Sequence, residues 1–473
     1  MPFKMIQEDY NISTHLLQLI SSEQAYQYNV IPVDENDNEI VFKSEDTSEA
    51  LRQELQVVIG KSIRLIYEPI ENIKHYLATN YRMKKNAQSQ AFHYASDFLE
   101  QLLTTAKAIG SSDIHFEAYE NKCRVRFRLD GKLKEYYIIN AKDYPIIINK
   151  LKIKAGLDIS EKRLPQDGRI TIKTASEEFD IRVSSLPILH GEKIVLRLLS
   201  KDADHIQLND LGFSERELQI YKESTKKPNG IILISGPTGS GKTTTLYATL
   251  KLLNDEDTNI LTIEDPIEYT LEGINQVQLK ENIGLDFAST LRTFLRQDPD
   301  VIMVGEIRDA KTANMAIRAA LTGHLVLSTI HTNSAWGTIS RLVDMNIPPF
   351  LIANTLNVSV AQRLVRKLCA NCKTKNPIDE NDFPSSFTIP SDLKETFTPV
   401  GCNVCYYTGF SGRKAIYEII PVSKELATYI KSNDLDIDNY IKEQGIITLK
   451  DNAIDLIRKG TTSIDEVYAL LID

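Results

Sequence analysis

The chain has 473 residues, of which 42% are hydrophobic and 25% are charged, and its formal net charge is −9. This acidic balance argues against a protein dedicated to coating nucleic acid. No apolar run approaches the roughly 20 residues that a membrane-spanning helix needs, and the start of the chain lacks the pattern of a signal peptide. We therefore expect a cytosolic protein of about three domains, with any membrane role exercised through a partner.

The first 79 residues alternate short helical and strand-like runs, for example Ile12–Ile20 and Tyr28–Pro32. They predict a small α/β module. We assign partner binding to this module, although it shows no readable ligand signature. A polar stretch over residues 80–90 follows, and its composition is typical of a linker.

A second domain is predicted from residue 92 to residue 200. Helical spacing over Tyr94–Ile109 precedes strand-like runs, and Asp130-Gly131 between two of them is a strong hairpin signal. The strand-like runs are residues 112–117, 123–131, 132–139, 178–186 and 193–199, and a buried helix is predicted over residues 144–154. Residues 201–229 are interpreted as a linker.

Arg182 and Arg197 fall roughly opposite each other on the last two of these strands. Two interpretations stay open. They are plain surface residues, or they face a phosphate site on a neighbouring domain or subunit. The second suits arginine, because its planar guanidinium stays charged and binds phosphate oxygens in pairs.

The stretch Gly236–Thr243 matches G-x-x-x-x-G-K-[ST] in full, after an apolar run and before a run with helical spacing. This context predicts a phosphate-binding loop for ATP. Lys242 is expected to reach the β- and γ-phosphates, and Thr243 to ligate Mg²⁺. The predicted nucleotide-binding residues are Gly236, Pro237, Thr238, Gly239, Ser240, Gly241, Lys242, Thr243 and Thr244.

Four apolar runs each end in polar residues that can serve ATP chemistry. Near-continuous apolar runs separated by helical stretches predict a parallel sheet buried on both faces. Ligands of such sheets bind beyond the carboxyl ends of the strands. The runs are residues 230–235, 259–263, 300–304 and 324–330. All four therefore point their reactive residues to one edge.

Several of these polar residues are candidates for catalysis. Glu306 is a candidate to orient the Mg²⁺ shell or the attacking water, and Glu268 or else Glu264 is a candidate general base. The sequence does not decide between Glu268 and Glu306. For Glu264 the alternative is a loop cap. His331 is a candidate γ-phosphate contact, and the alternative is an ordinary loop histidine.

Two C-x-x-C pairs, Cys369 with Cys372 and Cys402 with Cys405, predict a closed tetrahedral site for structural Zn²⁺. The alternative is four unligated or redox-active cysteines. The fifth cysteine, Cys123, is predicted to be a buried apolar residue.

The boxes Gly236–Thr243, Thr262–Tyr269, Asp298–Asp309 and Thr322–Asn333 resemble those of the secretion ATPases that drive type II secretion and type IV pilus assembly. The resemblance covers roughly Phe92 to Glu418. It implies an α/β, RecA-like P-loop ATPase domain over residues 230–473, preceded by a PAS-like α+β domain over residues 92–200. It also implies that Arg182 and Arg197 contact phosphate.

The same resemblance implies a homohexamer with ATP at subunit or domain interfaces, and a metal-binding insertion over residues 366–413. That insertion favours pilus extension or secretion over retraction. The implied partners are an inner-membrane platform protein and the cytoplasmic domain of a membrane partner, reached at the inner face of the membrane without insertion. No nucleic-acid partner is expected. Two rival hypotheses remain: a nucleic-acid translocase built on a similar core, and a nucleotide-gated scaffold without hydrolysis.

Overall fold

A computed structural model describes residues 14–17, 19–36, 39–70, 72–73, 76–77, 81, 98–120, 122–173, 178–198, 206–402, 404–434 and 436–472. The predicted linker over residues 80–90 lies outside the described residues except for Tyr81. The chain divides into two compact units. The amino-terminal unit comprises Met1–Lys201, Cys369–Thr374 and Pro399–Ser411, and the carboxyl-terminal unit comprises Asp202–Leu368, Lys375–Thr398 and Gly412–Asp473.

The amino-terminal unit begins with a three-stranded sheet and short helices. The elements are α1 (Thr14–Leu17), α2 (Ser22–Tyr28), β1 (Val30–Glu35), β2 (Glu39–Ser44), α3 (Glu49–Ile59) and β3 (Ser62–Tyr67). Strand β2 is central, antiparallel to β1 and parallel to β3. Ser48 caps α3 by accepting from the Leu51 N–H, and Gly60 ends it in the left-handed conformation. Local capping signals therefore set the bounds of α3.

The same unit contains a six-stranded sheet in the order β6-β5-β4-β9-β8-β7, with antiparallel pairing throughout. Its elements are α4 (Phe98–Ala108), β4 (Asp113–Ala118), β5 (Cys123–Leu129), β6 (Lys132–Ile139), α5 (Tyr144–Lys154), β7 (Gln166–Lys173), β8 (Glu178–Ile188) and β9 (Gly191–Leu198). Residues 94–97 of the predicted first helix lie outside the described residues.

Strand β5 shows why this sheet has one apolar and one polar face. Its residues alternate between buried and half-buried, with Cys123, Val125 and Phe127 in the core formed with α4 and α5. The burial predicted for Cys123 is confirmed. Asp130 and Gly131 both have positive φ, 45° and 87°, and form the tight turn between β5 and β6 that the sequence predicts.

The carboxyl-terminal unit contains a seven-stranded sheet in the order β12-β11-β13-β14-β10-β15-β18. Its strands are β10 (Gly230–Ser235), β11 (Ile260–Glu264), β12 (Asn275–Gln278), β13 (Val301–Val304), β14 (Leu325–Ile330), β15 (Leu356–Leu368) and β18 (Phe410–Pro421), and β16 (Thr374–Pro377) pairs with β17 (Glu395–Thr398) separately. The pairings from β12 to β15 are parallel, and every residue of β10, β11, β13 and β14 is buried. The predicted parallel sheet is confirmed.

The helices of this unit, in chain order, are α6 (Glu215–Thr225), α7 (Lys242–Leu253), α8 (Phe287–Phe294), α9 (Ala310–Leu321), α10 (Gly337–Asp344), α11 (Pro349–Thr355), α12 (Lys424–Ser432), α13 (Asp438–Glu443), α14 (Leu449–Arg458) and α15 (Ile464–Leu471). Short 3₁₀ turns occupy Leu208–Leu211, Glu281–Ile283 and Glu380–Asp382. None of the helices in the described part of the chain is long and apolar enough to cross a bilayer.

Helix α6 lies inside the segment 201–229 that the sequence interpretation treats as a linker. Ser214 and Glu217 form a capping box at its start, and Tyr221 is fully buried against the central sheet. The Tyr221 hydroxyl hydrogen-bonds Thr249 Oγ1 of α7 at 2.8 Å. The described part of this segment is therefore integral to the carboxyl-terminal core rather than a spacer.

Candidate active site

The phosphate-binding loop connects β10 to α7, so it begins where a buried strand ends and a helix starts. Gly236, Gly239 and Gly241 have positive φ of 148°, 82° and 88°. A Cβ atom on Gly236 would lie 2.5 Å from the Gln362 carbonyl oxygen, so only glycine lets the loop pass this close to β15. The sequence pattern therefore reflects both backbone conformation and close packing.

Lys242 is buried, and its ammonium donates to the carbonyl oxygens of Gly236 at 2.8 Å and Pro237 at 3.0 Å. Burial lowers the pKa of Lys242, and the charge of Glu306 acts in the opposite direction. The lysine thus rests on neutral carbonyls of its own loop. A phosphate group is a stronger partner for an ammonium than these carbonyls.

Other residues of the loop also fit a phosphate ligand. The Ser240 hydroxyl is buried without a hydrogen-bond partner among the described residues. An orphaned buried hydroxyl at this place is consistent with an absent polyanion. Thr243 is exposed at the start of α7, and Thr244 is half-buried. Thr243 is therefore accessible to a metal ion that accompanies the phosphates.

Glu306 and His331 meet at the carboxyl edge of the sheet, beyond β13 and β14. His331 Nε2 lies 3.4 Å from Glu306 Oε2, and Arg308 Nη2 lies 2.5 Å from Glu306 Oε1. The Thr329 hydroxyl of β14 donates to the Gly305 carbonyl at 2.7 Å. This hydrogen bond holds the segment that carries Glu306 against the neighbouring strand. The charge of Glu306 also influences Lys242. Three residues predicted separately, Lys242, Glu306 and His331, are therefore brought to one edge.

Arg308 was not among the predicted site residues, although it stands two positions after Glu306. Its guanidinium also lies 4.0 Å from Asp265 Oδ2 at the end of β11. Arg308 therefore bridges the ends of two neighbouring strands. Its place in the third box was the readable signal.

Glu264 is held differently from the other candidate carboxylates. It is buried, and it accepts hydrogen bonds from Thr262 Oγ1 at 2.6 Å, Gln276 Nε2 at 3.0 Å and the Tyr247 hydroxyl. Its oxygens are engaged by three donors from the protein itself. This arrangement is typical of a structural carboxylate at the end of a strand.

Tyr247 connects the Glu264 carboxylate to the backbone of Glu268 and was missed by sequence reasoning. Its hydroxyl donates to Glu264 and accepts from the backbone N–H of Glu268 at 3.2 Å. Burial, followed by the neighbouring Glu264 charge, raises the pKa of this phenol. Tyr247 therefore stays a neutral donor and anchors the segment that carries Glu268, whose side chain is half-buried.

Arg182 and Arg197 are directly opposed on β8 and β9 of the amino-terminal unit. The same ladder places Arg169 opposite Arg182, and Asp113 opposite Arg197. Arg197 Nε donates to Asp113 Oδ1 at 2.9 Å while its side chain stays 58% exposed. Three arginines therefore form a row across neighbouring strands, which we call the arginine row. Arg169 is paired with Asp180 and Arg197 with Asp113, and both arginine side chains stay more than half exposed.

The four cysteine sulfurs form one cluster, with Sγ–Sγ distances of 3.8 Å for Cys369–Cys402, 3.7 Å for Cys372–Cys405 and 3.8 Å for Cys402–Cys405. A tetrahedral Zn²⁺ with Zn–S bonds of about 2.3 Å requires sulfur separations of about 3.8 Å. The cluster therefore has the spacing of a closed four-thiolate site and is consistent with zinc.

Backbone N–H groups surround the cluster. Gly401 N–H donates to Cys372 Sγ at 3.3 Å, and the N–H groups of Cys402 and Gly409 donate to Cys405 Sγ at 3.2 and 3.3 Å. Such donors stabilise thiolates that ligate a metal. Both knuckles belong to the amino-terminal unit, whereas most of the excursion between them belongs to the carboxyl-terminal unit.

The α/β sheet, the complete phosphate-binding loop and the acidic edge beside it define the carboxyl-terminal unit as a P-loop ATPase. The family model described as type II/IV secretion system protein matches residues 88–469. The chain therefore belongs to the type II/IV secretion system protein family, and it is an ATPase of that family.

Two curated relatives illustrate its range. The chain is 46% identical to type II secretion system protein E of Pseudomonas aeruginosa over 371 residues, covering 78% of this chain and 74% of that protein. It is 39% identical to the type IV pilus assembly ATPase PilB of Myxococcus xanthus over 494 aligned positions, covering 97% of this chain and 87% of that protein. The secretion and pilus-assembly ATPases are thus its relatives.

A solved structure supports the fold. The crystal structure of the pilus retraction motor PilT with bound ADP aligns with a TM-score of 0.54 and 26% identity. The alignment covers 79% of this chain and 96% of that one. The predicted family and the α/β fold are confirmed. The PAS-like assignment for residues 92–200 and the roles of the individual site residues stay predictions.

Proposed function

We propose that the chain is one subunit of a six-membered ring that hydrolyses ATP to power assembly of a pseudopilus or pilus. The observation that carries this proposal is the meeting of Lys242, Glu306 and His331 at one sheet edge, in a chain whose relatives include a pilus-assembly ATPase. The subunit works in the cytosol, at the inner face of the membrane. Its partners there are a platform protein and the cytoplasmic domain of a second membrane protein.

On binding ATP, Lys242 leaves the Gly236 and Pro237 carbonyls and contacts the β- and γ-phosphates. The backbone N–H groups of the loop bind the remaining phosphate oxygens. Thr243 and Glu306 would hold Mg²⁺, which neutralises phosphate charge when bound. His331, which is exposed beside Glu306, contacts the γ-phosphate and loses that contact after hydrolysis.

We assign the general base to Glu268. Glu264 is saturated by three donors, whereas Glu306 is bound by the Arg308 guanidinium through one oxygen and lies 3.4 Å from His331 Nε2 through the other. Glu264 then positions the segment through Tyr247, and Glu306 organises the phosphate end of the site.

The assignment can be tested with E268Q and E306Q, in which glutamine removes the negative charge and nearly preserves the shape of the side chain. We expect E268Q to keep ATP affinity and lose turnover by about 10²–10⁴-fold, the usual contribution of a general base. E306Q should lose both affinity and turnover, because it removes a group that organises the metal and His331. Equal behaviour of the two variants would refute the division of roles.

The arginine row supports a phosphate role for Arg182 and Arg197. Arg169 and Arg197 are paired with Asp180 and Asp113 but more than half exposed, so a phosphate group can replace these partners at an accessible guanidinium. In the ring these arginines reach the nucleotide and couple its state to movement of the domain that carries them. This coupling would convert γ-phosphate loss into mechanical work.

The cysteine cluster supports assembly rather than retraction, because the family's assembly and secretion members carry such an insertion. We propose that it holds one structural Zn²⁺. Metal analysis of the purified chain should give one zinc per subunit, and Cys405→Ser should release it. Retention of zinc by that variant would refute the ligand set.

The proposed function as a whole is tested by measuring ATP hydrolysis and the molecular mass of the assembly. We expect the full chain with ATPγS to reach six subunits by light scattering, and ATP hydrolysis to be unchanged by added DNA. In the source organism, loss of the chain should abolish piliation or secretion. A monomer whose hydrolysis DNA stimulates severalfold would instead support the translocase.

A further inference from the structure

Arg363 lies beside the phosphate-binding loop although it belongs to a different strand. Strand β15 runs parallel to β10, with Ala361 opposite Ser235, the last residue before the loop. Gln362 and Arg363, the next two residues of β15, therefore lie beside the start of the loop.

The contact between Arg363 and the loop is close. The position that a Cβ atom on Gly236 would occupy lies 3.1 Å from Arg363 Nη1. The carbonyl of the same Gly236 accepts from the Lys242 ammonium at 2.8 Å. The charge of Arg363 also acts to lower the pKa of Lys242, after the larger effect of burial. Two cations therefore flank the first residue of the loop.

Within the part of the chain that the structure describes, the Arg363 guanidinium donates to carbonyl oxygens only. Nη1 donates to the Gln362 carbonyl at 3.0 Å, and Nη2 donates to the Asn333 carbonyl at 2.7 Å. Across the residues that the structure describes, no carboxylate oxygen lies within 4.0 Å of it. Because its partners are uncharged, they do not neutralise the positive charge of this half-buried arginine, and the guanidinium can still bind an anionic ligand.

The buried carboxylate of Glu418, whose charge acts on Arg363, does not change this conclusion. Its oxygens accept from the Ala335 N–H at 2.7 Å and from the Leu449 N–H at 3.3 Å. Burial raises the pKa of Glu418 and lowers that of Arg363. The two groups influence each other's charge but are not in contact as an ion pair.

We propose that Arg363 is a second phosphate-contacting cation supplied by the same subunit as Lys242. On arrival of a nucleoside triphosphate, its Nη2 releases the Asn333 carbonyl and binds a terminal phosphate oxygen. Asn333 closes the box that contains His331, so the presence of the terminal phosphate is transmitted to that segment. This inference rests on the proposed phosphate role of the Gly236–Thr243 loop.

The test compares ATPγS with ADP, using fluorescent analogues of both and the full chain. In Arg363→Gln we expect affinity for ATPγS to fall about tenfold or more, as for loss of one charge-assisted hydrogen bond, and affinity for ADP to fall much less. Equal losses for both nucleotides, or no loss for either, would overturn the proposal. A merely structural role of Arg363 predicts equal losses together with a lower melting temperature.

Arg366→Gln is the matched control on the same strand. The Arg366 guanidinium is already bound by Glu466, with Nε at 2.9 Å and Nη2 at 2.6 Å from Oε2. This variant should leave the ratio of ATPγS to ADP affinity unchanged. A changed ratio in R366Q would show that any arginine on β15 has the effect, and would overturn the proposal.

Arg363→Lys keeps the test valid if R363Q does not fold. A lysine retains the charge but cannot bridge a carbonyl and a phosphate with one planar group. We expect a smaller loss, still confined to ATPγS, and an unselective loss contradicts the proposal. Because binding is measured without turnover, failure here is distinct from failure of the proposed function, which shows as a chain that neither hydrolyses ATP nor forms a ring.

Discussion

The carboxyl edge of the seven-stranded sheet and the polar face of the six-stranded sheet both concentrate charge, but they hold it in different ways. At the edge, Lys242 and Arg363 rest on backbone carbonyl oxygens. On the polar face, the buried carboxylate of Glu117 accepts from Arg124 Nε at 2.9 Å and Arg126 Nη2 at 2.7 Å. Lys242 and Arg363 are therefore available to an anion, although Arg308 at the same edge is paired with Glu306, whereas Glu117 neutralises the arginines around it.

This difference suggests how to recognise function in charged regions of this fold. A cation held by neutral groups loses little when it moves to a phosphate. A cation held by a buried carboxylate would leave that carboxylate unpaired, which is costly. Arg197 is intermediate, because it is paired with Asp113 but more than half exposed. It has a resting partner that solvent can replace.

The comparison is tested most strongly by removing one lysine from each region. Lys242→Ala should reduce kcat/KM for ATP by about 10²–10³-fold or more, the effect of losing one preorganised donor. Lys193→Ala should leave it within about twofold, because Lys193 lies 3.2 Å from Glu117, which retains two arginine partners. Steady-state hydrolysis assays decide this, and a large loss in K193A would refute the distinction.

The next largest effect is expected in the acid stability of the six-stranded sheet. Burial acts to raise the pKa of Glu117, but hydrogen bonds from Arg126 and Arg124 outweigh it and hold the pKa at about 2 instead of 4.5. Because the folded-state pKa is depressed, this stabilisation is complete above about pH 5 and is lost as the pH falls towards 2. The difference corresponds to about 3 kcal/mol.

Hydrogen exchange of peptides from 113–129 measures this effect, since the single tryptophan, Trp336, lies in the other unit. E117Q should be less protected at pH 7 and should lose the acid dependence between pH 5 and pH 2. Glu135→Gln is the control, because its pairs with Lys122 and Arg124 are more exposed. An unchanged acid dependence in E117Q would contradict the role given to this carboxylate.

The strand ends of the active site could be predicted because the informative residues are contiguous with the strands. Glu306 follows β13 by two positions, and Lys242 begins the helix after β10. Parallel strands share one carboxyl edge, so motifs distant in sequence are predicted to meet without knowledge of their contacts. The cysteine cluster was predictable for a similar reason, because C-x-x-C spacing limits how two sulfurs can be arranged.

What the sequence did not reveal depends on contacts across elements. Nothing in a helical run signals that the hydroxyl of Tyr247 reaches Glu264, or that Arg363 packs against Gly236. Helix α6 was missed because most of its residues are polar, although Ser214 and Glu217 formed a readable capping box. Tyr221 is its one fully buried apolar side chain, with Leu218 and Ile220 partly buried beside it, and so short an apolar pattern does not stand out by periodicity.

The smallest effect tests whether an active-site anchor differs from an ordinary buried hydroxyl. Tyr247→Phe leaves Glu264 with one donor fewer and the Glu268 N–H without its acceptor. We expect the free energy of unfolding to fall by about 1–3 kcal/mol, the cost of unsatisfied buried polar groups. Turnover should fall as well, by about tenfold, because the segment that carries the proposed base loses its anchor.

Tyr221→Phe is the matched control, since it removes a buried hydroxyl whose hydrogen-bond partner, the Thr249 hydroxyl at 2.8 Å, is neutral. It should lower stability by about 1 kcal/mol and leave kcat unchanged. Melting curves and kcat measured on both variants separate the two roles, because only Tyr247, which joins the Glu264 carboxylate to the Glu268 backbone, is expected to change both quantities. If Y247F lost stability alone, Tyr247 would be a packing residue, and Glu268 would have to be positioned by groups other than the Glu264–Tyr247 pair.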